Sequence, residues 1–136
     1  MIVVDASVLA VALGDDGPAG DAARARLRGE RLAAPDLVDL EVLSVWRRQV
    51  RAGALDLRRA ALALQDLREL RLDRALHTRL LARCWELRDQ LTVYDAAYVA
   101  LAEGEGALLV TADARMSRAT SIRCTVDVLR ATTGDA

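Results

Sequence analysis

Residues 1–9, MIVVDASVL, are the stretch that decides the fold. Ile2–Val4 is a short apolar run rich in β-branched side chains, which is typical of a strand buried on both faces. The run ends at Asp5, and the pattern predicts a helix from Ser7 to Leu13. Ligands of open α/β sheets bind at the carboxyl ends of the strands. Asp5 is therefore either a ligand-binding acid or only the N-cap of the following helix.

The length of 136 residues predicts a single domain over residues 1–130, followed by a flexible C-terminal tail at 131–136. No apolar run approaches the roughly 20 residues needed to cross a bilayer, and no basic segment precedes the first one, so no signal peptide is expected. Cys84 and Cys124 are isolated and predict buried core thiols rather than a disulfide framework. We therefore expect a cytoplasmic protein that does not enter a membrane.

Several kinds of chemistry are excluded by composition. His77 is the only histidine, and packing is its expected role, so histidine-based acid–base or zinc chemistry is not expected. All 19 basic residues are Arg, which excludes mechanisms that need a Schiff-base or P-loop Lys. The net charge of −1 argues against a generally basic nucleic-acid binder, yet a cluster of acids around a metal would mask a basic remainder.

Apolar runs alternate with helical patterns along the chain, which predicts an α/β fold: three α/β/α layers around a mostly parallel sheet of about five strands. The predicted strands are Ile2–Val4, Arg31–Ala34, Leu70–Leu72, Ala107–Val110 and one within Ile122–Leu129. The predicted helices are Ser7–Leu13, Pro18–Arg28, Leu37–Ala52 after an Asp36 cap, one from Asp56 to Glu69, Ala75–Arg88, one starting near Asp95 and ended by Gly104 and Gly106, and Ala114–Ala119.

Glu41 breaks the pattern of the predicted third helix. It lies between Leu37 and Val45 at i, i+4 spacing, within an otherwise apolar stripe. An unpaired carboxylate in that position costs several kcal/mol, and such breaks tend to mark function or a buried ion pair. Two interpretations stay open: a functional acid, or a Glu that bends to the edge of the stripe and pairs with an Arg.

Two further acids follow polar turns in the second half of the chain. Asp95 lies three residues after Thr92, the spacing of a capping box, with Tyr94 and Tyr98 close by. Asp113 follows a buried strand and a short turn, which repeats the arrangement at Asp5. Each acid is either a helix cap or part of a site at the sheet edge.

The predicted topology brings these acids together. The carboxyl ends of the first and fourth strands lie at one edge, so Asp5 and Asp113 are expected to meet there, with Glu41 and Asp95 added by the first turns of helices. Four close carboxylates repel one another unless a counter-charge is present. Mg²⁺ accepts such oxygen ligands, whereas zinc prefers His or Cys. The acids therefore predict hydrolysis of phosphodiester bonds by activated water.

Four blocks of the sequence carry a resemblance to a known family. They are IVVDAS around Asp5, PDLVDLEVLSV around Glu41, TVYDAAYVALA around Asp95, and LLVTAD ending at Asp113. With this order and spacing, the chain resembles PIN-domain ribonucleases, most of all the VapC-type toxins of toxin–antitoxin pairs. The resemblance implies that these acids hold Mg²⁺ or Mn²⁺ for endonucleolytic cleavage of RNA. It also assigns supporting polar roles to Ser7 and Thr111.

The resemblance also implies partners. Toxins of this type form homodimers and are neutralised by a VapB-type antitoxin that lies along a groove beside the site. The corresponding groove here would involve the second to fourth helices, with Trp46 partly exposed. Arg47, Arg48 and Arg51 are near Glu41 in sequence and are candidate RNA contacts, although a solvated helical face is the favoured interpretation of each one taken singly.

A second hypothesis is a catalytically silent binding module whose acids are only caps. A third is a phosphoacceptor or haloacid-type phosphatase. The former lacks its Lys, and the latter would need an Asp two residues after Asp5, where Ser7 stands.

Overall fold

A computed structural model describes residues 1–130, and the predicted tail at 131–136 lies outside the described residues. Five parallel strands form one sheet in the order β3-β2-β1-β4-β5, which confirms the predicted fold class. The strands are β1 Ile2–Val4, β2 Leu32–Pro35, β3 Asp73–Ala75, β4 Leu108–Thr111 and β5 Val126–Val128. None of the helices within residues 1–130 has the length and apolar character that spanning a bilayer requires.

The helices form two groups around the sheet. Helix α1 packs on α2, α3 and α4, whereas α6 packs on α5 and on strands β1, β2 and β4. The helices are α1 Ala6–Gly14, α2 Pro18–Leu27, α3 Val38–Arg51, α4 Leu57–Glu69, α5 Leu81–Glu86 and α6 Val93–Glu105, and short 3-10 helices cover Thr78–Leu80 and Ala114–Arg118. The two groups are the outer layers of the predicted α/β/α arrangement.

Strand β1 lies at the centre of the sheet, which accounts for its continuous apolar character. It pairs with β2 on one side and β4 on the other, and Val3 and Val4 are fully buried. The strand order reverses between β1 and β4, because β2 and β3 extend to one side and β4 and β5 to the other. The crevice at such a reversal, beyond the carboxyl ends of the strands, is the usual ligand site of open α/β sheets.

Two elements between α4 and α6 differ from the sequence prediction. The third strand is Asp73–Ala75, not Leu70–Leu72, and it is an edge strand with mostly exposed residues. The fifth helix begins at Leu81, because Ala75 belongs to that strand and a 3-10 turn precedes the helix. The predicted core stripe on this helix is also wrong in part, since Leu76 and Leu81 are exposed. Helical spacing alone did not reveal the short edge strand.

Trp46 also differs from its prediction, because it is buried and only 3% exposed. Its indole Nε1 donates a hydrogen bond of 3.0 Å to the carbonyl oxygen of Ala10. A Cβ atom at Gly14 would lie 2.7 Å from that nitrogen, so the glycine leaves the space that the indole occupies. Trp46 therefore links α3 to α1 and forms the floor of the groove between α3 and α4 rather than its exposed rim.

Smaller differences concern a cap and the cysteines. Helix α3 begins at Val38 with Leu37 as its N-cap residue, so Asp36 does not cap it. The thiol of Cys84 is buried as predicted, whereas Cys124 is only partly buried. The imidazole Nε2 of His77 accepts a hydrogen bond from the backbone N–H of Leu37, a structural contact that joins α3 to the segment before α5.

Candidate active site

An open cleft of about 480 Å³ lies at the carboxyl edge of the sheet, at the reversal between β1 and β4. All four acids singled out in the sequence line it: Asp5, Glu41, Asp95 and Asp113. Asp5 and Asp113 follow the ends of β1 and β4, and the first turns of α3 and α6 supply Glu41 and Asp95. Its remaining lining is Ala6, Ser7, Leu37, Leu40, Ser44, Val45, Arg48 and Tyr94.

Asp5 is buried at 6% exposure and is held by two hydroxyl groups. Its Oδ2 accepts hydrogen bonds of 2.7 Å from Ser7 Oγ and of 2.7 Å from Thr111 Oγ1. Asp5 occupies the N-cap position of α1, yet its side chain makes no capping hydrogen bond. The carboxylate is therefore directed to the cleft by its neighbours, and the interpretation of Asp5 as a simple cap is wrong.

Thr111 connects the ends of the two central strands. Its buried hydroxyl donates to Asp5 and accepts a hydrogen bond of 3.0 Å from the backbone N–H of Asp113. Ser7 makes a second connection, since its Oγ accepts from the backbone N–H of Ala112 at 3.0 Å. These two hydroxyl groups fix the loop after β4 relative to Asp5, so the two strand-borne acids are held in register.

Glu41 is half-buried and faces the other acids. The fully buried Tyr98 donates a hydrogen bond of 2.6 Å from its hydroxyl to Glu41 Oε1. Burial raises the pKa of Glu41, the hydrogen bond from Tyr98 opposes that rise, and the charges of Asp5 and Asp95 add to it. The partner of Glu41 is thus a tyrosine, and the alternative in which Glu41 pairs with an Arg is wrong.

Asp95 lies in the first turn of α6. Thr92 Oγ1 accepts a hydrogen bond of 3.1 Å from the Asp95 backbone N–H, so the predicted cap is Thr92 and the Asp95 side chain lines the cleft. Burial raises the pKa of Asp95, and the charges of Asp5 and Asp113 raise it further. Negative charge therefore accumulates between the helix-borne acids and Asp5.

Asp113 has a different environment, because the guanidinium of Arg115 is paired with it. The closest contact is 2.8 Å, from Arg115 Nη2 to Asp113 Oδ2, and Arg115 Nε approaches both oxygens at 3.1 Å and 3.3 Å. The backbone N–H of Arg115 also donates to Oδ1, so Asp113 caps the 3-10 helix as well as lining the cleft. The hydrogen bonds from Arg115 hold the pKa of Asp113 below its usual value.

The three arginines considered as candidate RNA contacts line two different surfaces. Arg48 lines the acid cleft, whereas Arg47 and Arg51 line a separate groove of about 450 Å³ between α3 and α4. That groove is mostly apolar, with the exposed leucines Leu43, Leu57 and Leu64 around the buried Trp46. Of the three, only Arg48 borders the cleft.

A second apolar surface adjoins the cleft on its other side. Its pocket, of about 480 Å³, lies between α5 and the start of α6 and shares Leu37 and Tyr94 with the cleft. Trp85 is 65% exposed here, and the guanidinium of Arg88 lies 4.6 Å from the centre of its ring. Leu81, Val93 and Tyr94 are also exposed, so this part of the molecule presents a contiguous apolar face.

The donor set of the cleft fits a hard divalent cation. Carboxylate oxygens are the ligands that Mg²⁺ and Mn²⁺ prefer. Burial raises the pKa values of Glu41 and Asp95, neighbouring carboxylates add to that rise, and a cation would offset this negative charge. Within residues 1–130, no three His, Cys, Asp or Glu side chains are grouped closely enough to hold a metal ion as they stand. The pairing of Asp113 with Arg115 engages both oxygens of one of the four acids.

Comparison with protein families identifies the fold. A model of the PIN domain matches residues 2–121, which is most of the chain. The chain belongs to the PIN-domain family. Among its relatives, the VapC ribonuclease Mb0985 of Mycobacterium bovis is 46% identical over 132 residues, which cover 95% of this chain and 98% of that protein. Ribonuclease VapC3 of Mycobacterium tuberculosis is 42% identical over 118 residues, covering 87% of this chain and 86% of the relative.

Solved structures agree with the family. PAE2754 from Pyrobaculum aerophilum superposes with a TM-score of 0.65 at 25% identity and covers 88% of this chain and 86% of its own. VapC20 of Mycobacterium tuberculosis, a toxin that cleaves the sarcin–ricin loop, has the same fold with a TM-score of 0.65 at 20% identity, covering 88% and 95% of the two chains. The family model and the VapC relatives confirm the resemblance to the PIN domain and to VapC-type proteins found in the sequence, and the solved structures agree in fold.

Two contributions to the site were not identified in the sequence. Tyr98 was expected only to pack near Asp95, yet its hydroxyl group binds Glu41. Arg115 was not singled out, although it lies two residues after Asp113, within reach of its carboxylate. A basic residue so close in sequence to a candidate metal ligand is the signal that could have identified it.

Proposed function

We propose that this protein is a metal-dependent endoribonuclease, the toxin of a toxin–antitoxin pair, with Asp5, Glu41, Asp95 and Asp113 as its catalytic and metal-binding residues. The observation that carries the proposal is that all four acids, although far apart in sequence, line one cleft. The VapC ribonucleases to which the chain is similar support RNA as the substrate. Mg²⁺ is the proposed cofactor, and Mn²⁺ can substitute for it.

The residues in and around the cleft have separate roles in the proposed reaction. A bound divalent cation supplies the positive charge that activates water and offsets the phosphate charge. Ser7 and Thr111 hold Asp5 in a fixed orientation, and Tyr98 does the same for Glu41. Arg48, at the border of the cleft, is placed to attract the RNA backbone, which the acids alone would repel.

The experiment is cleavage of a mixed RNA substrate with Mg²⁺ or Mn²⁺ by the parent chain, by Asp5→Asn and by the control Asp89→Asn, which removes an exposed acid after α5. We expect Asp5→Asn to lose about 100-fold or more of the activity, because even groups that only support a metal ligand typically contribute about 10- to 100-fold. Asp89→Asn should cleave like the parent. Equal cleavage by all three proteins would reject the proposal.

The alternative, a catalytically silent PIN-like module that acts through a protein partner, makes the opposite prediction. It requires no metal, so Mn²⁺ should leave the melting temperature unchanged. The nuclease proposal predicts a rise in the melting temperature with Mn²⁺ that disappears in Asp5→Asn, because a ligand that binds only the folded state stabilises it.

We further propose that the groove between α3 and α4 receives a VapB-type antitoxin. Its exposed leucines suit the apolar face of a partner helix, while Arg47 and Arg51 are available for acidic residues. Leu64→Asp and Arg51→Glu should weaken co-purification with an antitoxin from the same operon and leave RNA cleavage intact. Undiminished co-purification would remove the groove from the proposal.

The apolar face around Trp85 is the proposed homodimer surface. It is contiguous, exposed and adjacent to the cleft, so a second copy there would bring two clefts near each other. Light scattering should report a dimer for the parent and a monomer for Trp85→Ser. A monomeric parent, or a dimeric variant, would contradict this assignment.

A further inference from the structure

One cleft acid is already neutralised by a basic residue of the same chain. Asp113 is the only cleft acid in an ion pair among residues 1–130, and its partner is Arg115. Nε and Nη2 of Arg115 contact both carboxylate oxygens in the forked arrangement typical of Arg–carboxylate pairs. Guanidinium nitrogens therefore engage both of the Asp113 oxygens that would otherwise be available to a metal ion.

The pair is built so that it can open. The Arg115 side chain is 80% exposed, whereas the Asp113 side chain is 24% exposed. The guanidinium can therefore swing into solvent without disturbing the core. The backbone N–H of Arg115 holds Asp113 Oδ1 separately, so the 3-10 helix keeps its cap when the side chain leaves. Loss of the ion pair frees carboxylate lone pairs without requiring a change in the fold.

We propose that Arg115 is an internal counter-ion of Asp113 that a divalent metal ion must displace when it binds the cleft. The inference rests on the proposed metal-dependent function. Arg115 pairs with the Asp113 carboxylate in the metal-free protein and lowers the affinity of the cleft for the metal. The displaced guanidinium remains at the edge of the cleft, next to the entering RNA phosphates. Metal binding would thus free the guanidinium of Arg115 from its ion pair with Asp113.

The test is calorimetric titration of MnCl₂ into the full chain and into three variants. Arg115→Gln removes the ion pair, and Arg115→Lys keeps the positive charge but loses the forked contact of two guanidinium nitrogens with the carboxylate. Arg118→Gln is the matched control. Arg118 is exposed on the same short helix and affects Asp113 only through the long-range attraction of its charge, without a hydrogen bond. An exposed ion pair is worth a factor of about 2 to 5 in an equilibrium constant, so Arg115→Gln should bind Mn²⁺ about two- to fivefold more tightly.

The other variants and the salt dependence test whether the change in Mn²⁺ affinity comes from the ion pair itself. Arg115→Lys should bind Mn²⁺ with an affinity between those of the parent and Arg115→Gln, and Arg118→Gln should match the parent. The advantage of Arg115→Gln should shrink as the KCl concentration rises from about 0.05 M to about 0.5 M, because salt screens an exposed pair. Melting curves without metal verify folding, and Arg115→Lys carries the test if Arg115→Gln does not fold.

The outcomes separate the two proposals. Equal or weaker Mn²⁺ binding by Arg115→Gln, with binding by the parent intact, overturns the role of Arg115 and leaves the metal-dependent nuclease standing. Absence of Mn²⁺ binding by the parent overturns both. An equal gain in Arg118→Gln also overturns the inference, because it would assign the effect to general charge rather than to the ion pair.

Discussion

The two acids at strand ends and the two acids on helices differ in how their charges are balanced. Asp5 accepts hydrogen bonds from two hydroxyl groups, and Asp113 is paired with Arg115. On the helices, burial raises the pKa values of Glu41 and Asp95, and neighbouring carboxylates add to the effect. The strand ends thus form a preorganised half of the cleft, whereas the helix-borne acids carry the negative charge that a cation would relieve.

Removing the connection within the preorganised half should have the largest effect. Thr111→Val keeps the shape of the side chain, but it deprives Asp5 of a donor and the Asp113 N–H of an acceptor. Leaving such buried groups unsatisfied costs about 1–3 kcal/mol, so the unfolding free energy in urea should fall by about that amount. Mn²⁺ affinity should also fall by about 10- to 100-fold. Thr120→Val, at an exposed position, is the control.

A smaller effect is expected at the hydrogen bond between Tyr98 and Glu41. Tyr98→Phe should lower the unfolding free energy by about 0.5–1.5 kcal/mol at pH 7. The loss should be smaller near pH 4, where more of Glu41 is protonated and the bond no longer serves a charged acceptor. Tyr94→Phe removes the hydroxyl of an exposed tyrosine on the same helix and should change little. A loss independent of pH would show that the hydroxyl does not act on the Glu41 charge.

The smallest expected effect has the opposite sign. Because the pKa of Glu41 is raised in the folded protein, the folded state binds its proton more tightly than the unfolded chain does. The metal-free protein therefore loses stability as the pH rises through the usual pKa of Glu towards the raised one. Glu41→Gln should melt about 1–3 °C higher than the parent at pH 7. The gain should vanish below the usual Glu pKa, and a variant that melts lower at pH 7 would contradict this account.

The contrast between the cleft halves also shows what could be predicted from the sequence. Strand β1 and the position of Asp5 followed from a buried apolar run that ends at an acid. Glu41 was recognisable because it breaks an apolar stripe. The edge strand β3 was misplaced, since two of its three residues are exposed and carry no alternating pattern. The link from Thr111 to Asp5 spans 106 residues, and no local pattern specifies such a contact.

Burial was the other property that local patterns described poorly. Trp46 was expected at a groove surface but donates to Ala10 inside the protein, since Gly14 leaves room for the ring. Leu81, by contrast, fits a core stripe by spacing and is exposed. Whether an apolar residue faces the core depends on which helices pack together, and that depends on the whole chain.

The most direct test of the central claim is a crystal structure of the protein soaked in Mn²⁺, with the ion located by its anomalous scattering. We expect a peak in the cleft in contact with carboxylate oxygens of Asp5 and at least one helix-borne acid, Glu41 or Asp95. We also expect Arg115 to have moved away from Asp113. A cleft without an anomalous peak at a Mn²⁺ concentration that supports RNA cleavage, or an ion bound only elsewhere, would show that the four acids do not form a metal site.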